Sequence, residues 1–252
     1  LVRYAINRGW CKGRDDFNFR RCYSDFLYTR FSRCRERQCR TTDALAAQRG
    51  RITVETVMRA LRDHGPPVGA QWMPSRGLTT FNVCAHAGPG PIRAAQTTGS
   101  MVSHLTEEHQ THFVTGTAAP CTGLFKPVWL DADLPDTGPV PSGTYDAATL
   151  FWRHEALHRA TLRDYAARIA LYPSERDALE HRFIEGGLAC RDASSAERAT
   201  YSARCFAEAD TAEAGWLKCV TAQRVASRPG PLYAMAWRRF NRTARLPDTE
   251  GG

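Results

Sequence analysis

Apolar positions recur at helical spacing near the start of the chain. In residues 53–65, TVETVMRALRDHG, they follow the i, i+3, i+4, i+7 pattern of an amphipathic helix and comprise Val54, Val57, Met58 and Leu61. Thr53 is the predicted N-cap, and Gly65 with the two prolines after it predicts the end of the helix. Residues 1–65 are therefore predicted to be mainly helical.

The pattern changes after residue 78. Short segments rich in Thr, Val and Phe alternate with Gly, Pro and polar clusters: TTFNVCAHA, QTTGSMVSHL, THFVTGT and FKPVWL. Such segments are typical of strands separated by turns. We expect one antiparallel sheet in residues 78–130, with adjacent strands throughout residues 80–130.

Helical spacing returns near residue 148 and continues to residue 245. Residues 148–171 are predicted to form one helix that packs through Phe151, Leu157 and Leu162. Further helix starts are predicted from two N-caps, Ser174 and Ser194, the second in a capping box with Glu197. The fold class is α+β, and residues 1–252 are expected to form a single domain.

Composition and charge limit the kinds of protein that this chain can be and the partners that it can have. Hydrophobic residues make up 42% of the 252 residues and charged residues 24%, as in ordinary globular proteins. No apolar run is long enough to span a membrane, and no signal peptide is evident, so a cytoplasmic location is expected. The net charge of +8 comes mostly from arginine, which is densest in residues 30–40. We interpret that run as a solvated helix face and expect no nucleic-acid or membrane partner.

Cysteines and histidines supply the candidate chemistry. The nine cysteines include no C-x-x-C pair and are interpreted as reduced thiols. His154, Glu155 and His158 form the H-E-x-x-H pattern of zinc peptidases. The extended motif needs a glycine where Thr161 stands, and its next ligand would be Asp164. Other third ligands would be Glu180, His181 and Glu185.

The same histidines also lie on one apolar helical stripe, so an ordinary packing face explains them without a metal. We therefore expect no cofactor and no zinc at H-E-x-x-H, and we expect chelators to leave folding unchanged. A zinc metallopeptidase using His154, Glu155 and His158 remains the alternative.

Three blocks in fixed order resemble the secernin and cysteine-dipeptidase family of N-terminal-nucleophile (Ntn) hydrolases. They are RGWCKGRDDFNFRRCYSD with ITVETVMRALRDHG, then NVCAHAG, QTTGSMVSHL and THFVTGTAAPCTGLFKPVW, and finally LFWRHEALHRATLRDY. Together they cover most of residues 8–170. The resemblance implies part of an αββα sandwich of antiparallel sheets, with a helical C-terminal region, and thiol-dependent hydrolysis of small peptide amides without a metal.

The family's nucleophile is a cysteine at the mature N-terminus, whereas this chain begins at Leu1. We therefore expect a C-terminal portion of such an enzyme, with the catalytic thiol in a missing N-terminal portion that acts as its partner. Cys11 lies in a polar, turn-like segment and is not expected to replace it. A non-catalytic secernin-like module, binding partners through the Arg-rich N-terminal helix, is a further alternative.

The resemblance places substrate-binding candidates at predicted strand ends. These are His86, Thr97, Thr98 and Ser100. Asn18 could donate to an oxyanion or cap a turn, and we favour the turn cap. Cys84 is expected to be a small buried hydrophobic residue.

The isolated chain is predicted not to hydrolyse dipeptides, because the expected nucleophile lies outside it. Release of free amino acids from a dipeptide panel measures this. Turnover that iodoacetamide abolishes would overturn the prediction and make Cys11 the first residue to test.

Overall fold

A computed structural model describes residues 1–25, 29, 31–65, 72–77, 82–91 and 93–247. Its N-terminal part is helical and contains α1 (Val2–Asn7), α2 (Phe19–Tyr23), α3 (Cys34–Ala46) and α4 (Val54–Leu61). Three strands follow, β1 (Met101–Leu105), β2 (Gln110–Val114) and β3 (Lys126–Val128). The chain is then helical, with α5 (Leu150–Leu162), α6 (Tyr165–Ile169), α7 (Pro173–Ala189), a 3-10 turn (Cys190–Asp192), α8 (Ser195–Ala222) and α9 (Pro231–Ala244). The fold is α+β.

Two predicted helix starts are confirmed and one is wrong. Thr53 and Ser194 accept hydrogen bonds from backbone N–H groups three residues later, and both form capping boxes. Ser174 is not an N-cap, since α7 already begins at Pro173 with Tyr172 before it. Proline suits the first helical position, where its missing N–H has no partner to lose and its fixed φ is already helical.

The sheet is antiparallel, in the order β1-β2-β3. His112 of β2 lies opposite Ser103 of β1 and Val128 of β3. One face contributes Val102 and Phe113 to a buried cluster that also contains Val54, Met58, Phe125 and Ile184. The sheet therefore packs on α4 and α7, and its alternating burial reflects this one-sided core.

Strands do not extend through residues 80–130 as predicted. Residues 78–81 lie outside the described residues, and residues 82–91 and 96–100 are irregular. Their backbone groups bond to other loops: the Cys84 N–H donates to the Asp63 carbonyl at 3.0 Å, and the Ala85 N–H to Thr97 Oγ1 at 3.1 Å. The sequence here has the Thr- and Val-rich pattern of strands, but its backbone groups bond to distant loops instead of to a neighbouring strand.

The single helix predicted for residues 148–171 is interrupted. α5 ends at Leu162, and Asp164 has a non-helical backbone before α6 begins. The Asp164 carboxylate accepts hydrogen bonds from the N–H groups of Ala226 and Ser227, at 2.8 and 2.9 Å. Leu157 and Leu162 are buried as predicted, whereas Phe151 is only half-buried.

The arginine-rich segment is a solvated helix, as interpreted. No residue of α3 is buried, while Arg30 lies outside the described residues. None of the described helices is long and apolar enough to cross a bilayer.

A buried ion pair ties α4 to α7. The guanidinium of Arg62, directly after α4, donates to both carboxylate oxygens of Glu180 at 2.6 and 2.7 Å. It also donates to the carbonyls of Pro120 and Gly123 at 2.8 and 3.1 Å, and Glu180 accepts from the Phe125 N–H at 3.0 Å. The pair therefore fixes the loop between β2 and β3 against both helices.

Replacing Glu180 with Gln is predicted to lower the free energy of unfolding by about 3–5 kcal/mol, because Arg62 stays buried without its counter-charge. Urea denaturation measures the change. The matched control is Glu185→Gln on the same helix, where the side chain is 66% exposed and a change within about 0.5 kcal/mol is expected. Equal effects of the two variants would contradict this account.

Candidate metal centre

Four side chains from three loops converge in the interior. We call them the His–Cys cluster: His64 after α4, Cys84 and His86 in residues 82–88, and Cys121 between β2 and β3. One potential ligand atom from each lies within 4.8 Å of the other three. Within the part of the chain that the structure describes, this is the group of His, Cys, Asp and Glu side chains that could hold a metal ion.

The three distances from His86 to the other ligand atoms match those in a tetrahedral zinc site. Zn–N and Zn–S bonds place two nitrogens about 3.3 Å apart, and a nitrogen and a sulfur about 3.6 Å apart. His86 Nε2 lies 3.1 Å from His64 Nε2, 3.6 Å from Cys84 Sγ and 3.3 Å from Cys121 Sγ. An imidazole nitrogen takes part in only one hydrogen bond, in the plane of its ring. Three polar neighbours around His86 Nε2 are therefore explained better by a shared cation than by hydrogen bonds.

Backbone hydrogen bonds and one arginine hold the ligand loops. The Cys84 N–H binds the carbonyl of Asp63, which immediately precedes His64. Arg93 donates to the carbonyls of Gly77, Pro74 and His86 at 2.7, 2.6 and 3.2 Å. The Cys121 carbonyl accepts from Arg176. The ligand positions are therefore set by contacts between loops rather than by a helix or strand.

Burial and mutual contact shift the pKa values of the Cys84 and Cys121 thiols in opposite directions. Burial and the neighbouring Cys121 raise the pKa of Cys84 well above its usual range. Burial would also raise the pKa of Cys121, but a hydrogen bond with Cys84 and the nearby imidazoles hold that pKa well below its usual range. Burial lowers the pKa of His86, which favours a neutral ring. A neutral imidazole and a thiolate are the forms that bind metals.

Aromatic side chains enclose the cluster. The ring of His64 stacks on Trp72 with centroids 3.8 Å apart, and Tyr165 meets both rings edge-on. His64 is half-buried, whereas the other three cluster residues are almost fully buried. The cluster thus has four protein donors inside a largely apolar shell.

The H-E-x-x-H residues form a separate polar network beside the cluster. His154 Nδ1 lies 2.9 Å from Glu213 Oε2, and both His154 and His158 lie within 3.3 Å of the Thr122 hydroxyl oxygen. His158 also stacks on His86, with ring centroids 5.4 Å apart. The two histidines therefore support the cluster from one side.

The Glu155 carboxylate is not part of the hydrogen-bond network of His154 and His158. Its carboxylate accepts hydrogen bonds from Gln96 and Arg159, at 2.9 and 2.6 Å. The other proposed ligands are also engaged or distant: Asp164 bonds to residues 226–227, Glu180 bonds to Arg62, and His181 and Glu185 are largely exposed. Thr161, which stands where the extended motif needs a glycine, bonds to the Leu157 carbonyl. This arrangement provides neither the base nor the third ligand of a zinc peptidase at H-E-x-x-H.

The remaining sequence candidates are dispersed. His86 belongs to the cluster, whereas Thr97 bonds to the Ala85 backbone and the Ser100 N–H donates to Thr115. Thr98 is exposed and lines a groove beside α5. Asn18 caps α2 by accepting from the Arg21 N–H, as favoured from the sequence. Cys11 packs in the buried N-terminal cluster with Ala5 and Cys22.

Sequence reasoning missed His64 and Cys121 as potential ligands. The C-x-H pattern of Cys84 and His86 is the local sequence feature that points to such a site, although the prediction places it at a strand end. No family model matches the chain, and no solved structure is detectably similar to it.

The ion pair of His154 and Glu213 is predicted to make stability depend on pH. Burial opposes charge on both groups, but each partner overrides it: the pKa of His154 is raised and that of Glu213 is lowered. The contribution of His154 to the free energy of unfolding is complete below the ordinary histidine pKa of about 6.5, and it is lost as pH rises through the raised pKa of the folded state. The glutamate contribution is complete above its ordinary pKa of about 4.3 and is lost as pH falls through the lowered value.

Glu213→Gln should therefore lower the free energy of unfolding by about 3–5 kcal/mol near pH 6, and the loss should shrink at alkaline pH. Urea denaturation at a series of pH values provides the measurement. Glu208→Gln, on the same helix with a side chain that is 41% exposed, is the control and should show a small loss without that trend. A Glu213→Gln loss that is constant from about pH 5 to about pH 9 would refute the assignment.

Proposed function

We propose that this chain is a zinc-binding protein in which His64, Cys84, His86 and Cys121 hold one Zn²⁺ ion. The observation that carries the proposal is the convergence of these four ligand atoms within 4.8 Å of one another, with His86 at tetrahedral spacing from the other three. Two sulfurs and two nitrogens form a donor set that favours zinc over harder divalent cations. The expectation of no cofactor came from H-E-x-x-H, and the cluster is built from other residues.

The ion has a structural role in this proposal. Four protein ligands complete a tetrahedral shell and leave no open position for a water or substrate. The metal would cross-link the end of α4, residues 82–88 and the loop that carries Cys121. Because these loops lack a shared sheet or helix, metal binding would contribute directly to the folding free energy.

Zinc analysis of the purified chain should give one equivalent, with Cys84→Ser and Cys121→Ser each losing most of it. Chelation should lower the unfolding temperature, contrary to the expectation from the sequence. Substitution by Co²⁺ should give a thiolate-to-cobalt charge-transfer band, which reports the ligands even if a variant is destabilised.

Two controls make this test specific. Cys219→Ser alters an exposed cysteine outside the cluster, and His154→Ala removes an H-E-x-x-H histidine; both should retain the metal and the cobalt band. Absence of zinc and of a cobalt band in the unmodified protein would reject the proposal. Loss of metal in His154→Ala while Cys84→Ser retains it would place the ion at H-E-x-x-H instead.

A second candidate is the C-terminal portion of a secernin-like thiol amidohydrolase acting on small peptides. The favouring observation is that Thr98, one of the substrate-binding candidates, lines a groove of about 1220 Å³ whose wall also includes Ala87, the residue after His86. In this candidate the helices and the antiparallel sheet form part of an αββα sandwich, and the nucleophile comes from the N-terminal portion. The isolated chain would then bind dipeptides without cleaving them, and equilibrium dialysis that finds no binding would reject it.

A further inference from the structure

The groove that contains Thr98 has an apolar interior. Its walls are residues 87–91, 94–96 and 98, α5, α9 and the loop at residues 142–143. Phe151 and Trp152 line it from α5, while Trp237 and Phe240 line it from α9. Leu232 and Met235, also on its wall, are more than half exposed. A concave site with aromatic walls is suited to an acyl or aromatic group.

The charged residues on the groove wall are all arginines, namely Arg159, Arg239 and Arg242. Arg159 is already neutralised by Glu155, and its guanidinium lies between the rings of Trp152 and Trp237, at 5.1 and 5.4 Å. Arg239 and Arg242 are exposed, and neither has an acidic partner among the described residues. Within the described part of the chain, the rim therefore carries positive charge without an acidic partner beside an apolar interior.

The amide of Gln96 adds a polar requirement. Its Nε2 donates to Glu155, while its Oε1 is buried and has no hydrogen-bond partner among the residues that the structure describes. A buried carbonyl oxygen without a donor is costly. Gln96 lines the groove, and because its Oε1 is enclosed, the N–H or O–H of a ligand would reach this oxygen once the Gln96 side chain turns towards the groove.

We propose that the groove binds a small organic anion that combines an apolar acyl or aromatic body, a hydrogen-bond donor and a carboxylate. The body would contact Phe151, Trp237 and Phe240. The carboxylate would pair with Arg239 and Arg242, whose planar guanidinium groups suit it. The inference does not rest on the metal, because the groove is lined by residues outside the His–Cys cluster. The groove is the one considered above for peptides, but the inference concerns binding alone and requires no hydrolysis.

Calorimetric titration with N-decanoylglycine tests the proposal. This probe has an acyl chain, an amide N–H and a carboxylate, and its primary amide, N-decanoylglycinamide, is the neutral counterpart. The protein should bind the acid at least about tenfold more tightly than the amide, as expected for losing a charge-assisted pair. The double variant Arg239→Gln/Arg242→Gln should lose that preference.

A matched control removes the same charge elsewhere. Arg228 and Arg238 are exposed and do not line the groove, so Arg228→Gln/Arg238→Gln should keep the preference for the acid. Ala236→Trp, which fills the groove without changing charge, should abolish binding of both compounds. Equal affinity for acid and amide, or an unchanged preference in Arg239→Gln/Arg242→Gln, would overturn the proposal.

Discussion

The arrangement of the interior depends on the buried pair of Arg62 and Glu180. A guanidinium inside a protein must have its charge and its donors satisfied. Arg62 meets this requirement by reaching Glu180 and two carbonyls of the loop between β2 and β3. Since His64 follows it by two residues, the same contacts bring that imidazole towards Cys121.

The interior beside this pair has two polar layers with different charge states. In the His–Cys cluster, burial favours neutral imidazole while the neighbouring groups favour a Cys121 thiolate. In the outer layer, His154 is paired with Glu213, whereas burial and the nearby His86 lower the pKa of His158 well below its usual range. The two histidines of H-E-x-x-H therefore differ in the direction of their pKa shifts, and both are already bonded to protein groups beside the cluster.

The segment that begins at Cys84 connects the cluster with the groove. Cys84 and His86 face the cluster, and the Gly- and Pro-rich segment from Ala87 onwards forms a groove wall. Arg93 holds this segment through backbone carbonyls, and Gly88 lies so close to its guanidinium that a Cβ would come within 2.9 Å of it. A residue without a Cβ at position 88 therefore lets Arg93 hold the stretch of backbone that both sites share.

The sequence by itself determined the α+β class, the helical N-terminal and C-terminal regions, and the caps at Thr53 and Ser194, because these depend on contacts within a few residues. Only the tertiary structure decided the shorter sheet, since residues 82–87 bond to other loops, and the break at Asp164, whose partners lie about sixty residues away. It likewise brought His64 and Cys121 to the C-x-H of Cys84 and His86. No periodicity encodes that meeting, because the side chains come from irregular loops joined by long-range hydrogen bonds and a buried ion pair.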